Sequence, residues 1–226
     1  MFAQPSGQQR TLYRSAFVRN CMVIIVRSHS NLNRNSLDTA EEPHITGELV
    51  KGARNLLEST NAEPWMEHIE VLDDPPQEIA GRYGKARPRI DIEFVQTTHG
   101  RRPRFHMEAK RLYRSDSVNE YFGAGGMQMF VGGQYASEWP SAAMLGYVQS
   151  ENCSTWLQRL ASGFATRREQ LNICPERTDW GTAGWAGDGL DSVQVSCHAR
   201  TSAGAGRIEV FHLLLDFAAH DQPPGK

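Results

Sequence analysis

Between residues 87 and 112 the chain alternates. In RPRIDIEFVQ (87–96), Ile90, Ile92 and Phe94 share one face and Asp91 and Glu93 the other; in RFHMEAKRL (104–112), Phe105, Met107 and Ala109 oppose His106, Glu108 and Lys110. A period of two predicts strands with one buried face. The polar TTHGRRP between them, with its glycine, reads as a hairpin loop. Upstream, ITGELVKGARNLLE (45–58) places Ile45, Leu49, Ala53, Leu56 and Leu57 on one helical face, with Glu48 at its flank. SAFVRNCMVIIVRS (15–28) reads as a strand, NLNRNSLDTAEEP (31–43) as loop, and MEHIEVLDD (66–74) as a strand closed by Pro75-Pro76.

Downstream, Ser117 followed three residues later by Glu120 is a capping-box signature that opens a helix over 118–133. SAAMLGYVQ (141–149) is an apolar strand and STWLQRLASGFATRREQL (154–171) an amphipathic helix. DWGTAGWAGDGLD (179–191) is loop, and SVQVSCHA (192–199) with RIEVFHLLLDF (207–217) makes a final hairpin. The first ten residues and the tail AHDQPPGK are polar and expected to be loosely held. From residue 45 the order is helix, three strands, helix, strand, then a helix and two strands. Such mixing implies a layered α/β sandwich. We expect a single domain over 1–226: a core at about 45–150, an N-terminal extension 1–44, and a C-terminal helix and hairpin over 151–218.

Composition narrows the chemistry. At 39% hydrophobic and 22% charged residues, the 226-residue chain can build a sizeable core. A net charge of −2 excludes a strongly basic nucleic-acid coat, though not a local basic groove. Cys21, Cys153, Cys174 and Cys197 form no CxxC pair, which argues against structural zinc and for free thiols in a reducing cytosol. The longest apolar run, CMVIIV (21–26), is far too short to span a membrane or form a signal-peptide core. A cytoplasmic protein without membrane partners is expected.

A hairpin turning about His99-Gly100 sets Asp91 directly opposite Glu108, with Cβ atoms about 4.5–5.5 Å apart. Two facing carboxylates repel, and Lys110 on the same face offsets only part of that. A hard divalent cation such as Mg²⁺, held by oxygen ligands, resolves the conflict. The set Asp91 … Glu108-Ala109-Lys110 resembles the PD-(D/E)xK nuclease superfamily over roughly residues 45 to 150. The resemblance implies a restriction-endonuclease-like three-layer sandwich with an αβββαβ core, a central mixed sheet and flanking helices. It implies that Asp91 and Glu108 bind Mg²⁺, for which Mn²⁺ substitutes, and that Lys110 positions the attacking water. Glu48 then stands where many members carry a further acid on the first helix; read from the residues alone, it serves equally well as a surface acid. The chain departs from the family pattern in two places. Pro88 stands three residues before Asp91, and the QxxxY helix motif is absent, so no subfamily follows.

Around that set, Arg101, Arg102 and Arg104, with Arg111 and Arg114 beyond the strand, supply positive charge for backbone phosphates. The expected activity is metal-dependent phosphodiester hydrolysis, on DNA ahead of RNA, in restriction or antiviral defence, with a homodimer or a defence-system partner protein in view. The rivals are an RNA-cleaving effector, and a catalytically inactive binding or assembly subunit on the same fold. The plain alternative for Asp91, Glu108 and Lys110 is a solvated sheet face with a salt bridge. Glu93 is expected at the surface, and His106, His198, Arg200, His212 and Asp216 are expected to pack or hydrogen-bond. GAGG (123–126) lacks the remainder of a phosphate loop and reads as close helix-on-sheet packing.

Overall fold

A computed structural model describes residues 7–34, 36–77, 81–97, 102–176, 180–201 and 206–219. Helices α1 (Gly7–Asn31) and α2 (Glu42–Leu57) come first. Strands β1 (Ile69–Asp73), β2 (Ile92–Gln96) and β3 (Arg104–Leu112) follow, then the short helices α3 (Ser117–Phe122) and α4 (Met127–Val131). Strand β4 (Ser141–Val148), helix α5 (Cys153–Ala165), and strands β5 (Gly181–Thr182), β6 (Gln194–Ala199) and β7 (Arg207–Asp216) complete the order. The strands form one seven-stranded sheet in the order β1-β2-β3-β4-β7-β6-β5. Strands β3, β4 and β7 run parallel to one another, and the remaining pairs are antiparallel.

Side-chain alternation divides the interior into two cores. Phe94, Phe105, Met107, Leu145, Tyr147 and Leu213 point to the face covered by α1 and α2. Met144, Val148, Ile208 and Val210 point to the opposite face, where Tyr121, Phe130, Trp156 and Phe164 of α3, α4 and α5 meet them. The architecture is therefore a three-layer α/β sandwich around a mixed sheet. Strand β4, at the middle of the sheet, is buried on both faces from Ala142 to Val148. That is why it reads as a continuous apolar run and does not alternate.

The segment 15–28, expected as a strand, is part of α1. Phe17, Val18 and every residue from Cys21 to Ile25 are buried, so this stretch of the helix is covered on all sides and carries no alternation to tell it from a buried strand. Ser28, also buried, satisfies its hydroxyl within the helix by donating to the Ile24 carbonyl at 2.7 Å. The single helix expected over 118–133 is two, because Gly123 and Gly126 bring the chain against its own carbonyls. A Cβ at Gly126 would sit 2.5 Å from the Tyr121 oxygen, so only glycine fits there. The capping box does not form: Ser117 Oγ instead accepts from Tyr113 N and Arg114 N, and Glu120 pairs with Arg114. Helix α5 stops at Ala165, short of the expected 171, and its start is capped by the Asn152 side chain, which accepts from Thr155 N at 2.9 Å.

Candidate active site

The hairpin pairing expected from the sequence is present over the described part of β2 and β3. Ile92 faces Met107, Glu93 faces His106, Phe94 faces Phe105 and Val95 faces Arg104. The turn at His99-Gly100, and Arg101 with it, lies outside the described residues. The pairing stops at Ile92: Asp91 stands at a bend, and Ile90, expected on the face of Ile92 and Phe94, packs in the opposite core. The bend still leaves Asp91 close enough to Glu108 for its charge to act on that carboxyl. Asp91 Oδ2 accepts a hydrogen bond from Ala109 N at 2.7 Å, which fixes its carboxylate against the β3 backbone.

Glu108 is only 5% exposed. Its Oε1 accepts from Lys110 Nζ at 2.9 Å, and its Oε2 is buried without a hydrogen-bond partner among the described residues. Burial, and then the nearby Asp91 charge, push the Glu108 pKa up to about 8. Burial raises Asp91 to about 6, even though Lys110 and the Ala109 amide pull the other way. Lys110 has all three donors engaged: Glu108 Oε1 and Glu42 Oε1 at 2.9 Å each, and the Ala109 carbonyl at 2.5 Å. Burial works against its charge, but Glu108, Glu42 and Asp91 outweigh it and hold the ammonium above its usual range.

The acid that α2 contributes is Glu42, not Glu48. The two are separated by six residues, about 240° of helical rotation, so they cannot share a face. Glu48 pairs with Lys51 at 3.4 Å and lines a cleft with Ser28, Asn31 and Asn55. Glu42 is delivered to Lys110 by a clamp at the strand ends. The Gln149 amide donates to the carbonyls of Leu37 and Ala40 at 2.7 and 2.9 Å, while Arg111 bridges Gln149 and Glu41. Arg111 is thus a structural tie. TAEEP, expected as loop, contains the start of α2: two acids and a proline just ahead of an apolar helical face mark a helix N-terminus.

Glu93, expected at the surface, is 2% exposed. It is bonded by His106 Nε2 at 3.1 Å, by the Gln77 amide at 3.3 Å, and by Arg104. Burial opposes its charge, but these partners more than compensate, and its pKa is lowered. Arg104 is therefore tied to a buried carboxylate, and Arg102 is exposed.

A cleft of about 440 Å³ opens over Lys110, lined by Glu42, Asn119, Glu120 and the backbone at 123–125. Beyond α3 lies a second groove of about 920 Å³, which includes Tyr113, Arg114, Thr155, Arg159 and Ser162.

His198 and His212 lie elsewhere, fully buried in the core beneath α3 and α5. The Leu171 carbonyl can only accept, so His198 Nδ1 donates to it at 2.6 Å. This leaves His198 Nε2 to accept from Ser196 Oγ at 2.7 Å, Ser196 to accept from His212 Nε2 at 2.8 Å, and His212 Nδ1 to accept from Tyr121 at 3.0 Å. Every member is satisfied, which makes this a packing network. Arg200 donates to the carbonyls of Ala136, Ser137 and Trp139. The Asp216 carbonyl accepts from His29 and its carboxylate from Ala218 N.

Among the described residues no three His, Cys, Asp or Glu side chains converge to hold a metal ion by themselves. The donors around Glu108 fit a different kind of site, with two hard carboxylates completed by water and substrate oxygens. A buried carboxylate oxygen without a partner is costly, and a cation ligated there would satisfy it. Comparisons with protein-family models, curated proteins and solved structures find no match to this chain.

Proposed function

We propose that this chain is a metal-dependent endonuclease of the PD-(D/E)xK kind, hydrolysing phosphodiester bonds with Mg²⁺, or Mn²⁺ in its place, on DNA ahead of RNA. The observation that carries this reading is the Glu108 carboxylate: buried, one oxygen unpartnered among the described residues, Asp91 beside it and Lys110 at 2.9 Å. A sheet face that merely carried a salt bridge would be solvated. The order α2-β1-β2-β3-α3/α4-β4 also supports it, being the αβββαβ order of the restriction-endonuclease-like fold.

Asp91 and Glu108 would hold the cation, with Glu42 beside them. When bound it supplies positive charge for the phosphoryl oxygen and an acidified water. Lys110, released from one of its three acceptors, orients that water and stabilises the charge that develops on the phosphoryl group. Glu42 keeps Lys110 charged and in place. Arg114 and Arg159, paired with Glu120 and Glu151, retain further guanidinium N–H groups that give the neighbouring groove donors for backbone phosphates. A cytoplasmic setting in restriction or antiviral defence fits such an enzyme by analogy of fold alone.

One observation favours a second reading. With every Lys110 donor engaged, the cluster also suits a binding or assembly subunit without turnover. Supercoiled plasmid, linear DNA and RNA incubated with Mg²⁺, Mn²⁺ or EDTA separate the two. We expect cleavage that needs the cation and falls by about 10²–10³ in Lys110→Met. Binding without cleavage under all conditions selects the subunit. Cleavage undiminished in EDTA rejects the metal mechanism.

A further inference from the structure

Three strands from β3 across the sheet, two buried thiols meet. Cys197 lies on β6, and Cys174 on the segment that pairs with it. Ile173 and His198 form an antiparallel bridge; Cys174 N donates to the Cys197 carbonyl at 2.9 Å and Ala199 N to the Asn172 carbonyl at 2.8 Å. These bonds set Cys174 directly across from Cys197, where antiparallel Cα atoms lie about 5.5 Å apart, within the span of a disulfide. The side chains complete the approach: the sulfurs are 2.9 Å apart, closer than two unbonded sulfurs rest. Cys174 is 1% and Cys197 6% exposed. Cys21 and Cys153, the other two cysteines, are free thiols elsewhere.

We propose that Cys174 and Cys197 are an oxidation site that closes to a disulfide without rearrangement of the fold. The oxidant is a small disulfide such as oxidised glutathione. One cysteine, having lost its proton to solvent, attacks the reagent's S–S bond, forms a mixed disulfide and releases one thiol. The second cysteine, also deprotonated, then displaces the remaining half. Two cysteine thiols become one cystine, and the reagent is reduced to two thiols. Burial and the neighbouring sulfur hold the Cys197 thiol well above its ordinary pKa, so the exchange is slow at neutral pH and faster in alkali. The bond would pin residues 171–174 to β6, including the Leu171 carbonyl that orients His198.

The full-length chain is held natively at alkaline pH with excess oxidised glutathione, then alkylated in denaturant and mapped without reduction. The expected product has lost two hydrogens, yields a linked Cys174–Cys197 peptide, keeps Cys21 and Cys153 alkylated, and melts roughly 5–10 °C higher. Four alkylated cysteines, glutathione stranded on either member of the pair, or a different pairing overturns the proposal. Cys197→Ser must lose both the linkage and the rise; a rise that persists in it contradicts the assignment. The wild-type map decides alone if that variant does not fold.

Discussion

At pH 7 the Glu108 carboxyl keeps a proton that the unfolded chain releases, because burial and Asp91 both disfavour its charge. Its folded pKa of about 8 lies above the ordinary value of 4.5. Its contribution to stability is therefore fully present below about pH 4.5 and is lost as pH rises through 8. Asp91, raised from 3.8 to about 6, acts in the same direction over a lower window. In metal-free buffer the melting temperature should fall as pH goes from 6.5 to 8, with a limiting slope of about 1.4 kcal/mol per unit. Glu108→Gln should flatten that limb and start higher at pH 8. A flat wild-type profile in EDTA would mean that Glu108 is not the buried acid described here. With saturating Mn²⁺ the trend should reverse, since ligation needs the ionised carboxylates.

At the scale of elements, two helix residues test the site's architecture. Glu42→Gln removes a carboxylate from Lys110 and should lower cleavage by roughly 10–100-fold, the usual cost of losing a supporting partner in a metal site. Glu48→Gln should leave the rate within about twofold; the reverse ranking would return the first-helix acid to Glu48. The β2–β3 pairing was legible because a period of two, a polar loop and a glycine all point to one register. Glu42 was not legible: what delivers it is Gln149 and Arg111, more than a hundred and about seventy residues away in sequence. Glu93 was misplaced for a related reason. Alternation separates polar from apolar faces but says nothing of whether the polar face is covered, and here Gln77, His106 and Arg104 cover it. Helix α1 has no signature that separates it from a strand, because a buried helix and a buried strand share an unbroken apolar run.

Across the whole molecule, the acid pair at β2 and β3 and the histidine network at β6 and β7 titrate in opposite senses. Burial lowers His198 to about 4, and burial together with the neighbouring His198 holds His212 well below its ordinary 6.5. The His198 contribution is thus present above about pH 6.5 and is lost as pH falls through 4, and that of His212 is lost in the same direction. In Glu108→Gln, two histidines then work against Asp91 alone, and its melting temperature should drop between pH 6.5 and 4. A flat acid limb would place the histidines in contact with water. The sequence could place His198 and His212 on neighbouring strands, but not the Tyr121 and Leu171 groups that close the network, which come from a helix and a loop beyond any local pattern. The central claim, that Asp91 and Glu108 form a divalent-cation site, is tested most directly by thermal denaturation of wild type and Glu108→Gln across a Mn²⁺ titration at pH 8. A ligand bound only to the folded state contributes about 2.7 kcal/mol at a hundredfold excess over Kd, which is roughly 5–10 °C for a chain of this size. Wild type should rise by that amount, while Glu108→Gln starts higher and barely moves. If the two proteins melt alike at every Mn²⁺ concentration, the paired acids hold no cation, and the nuclease reading falls with them.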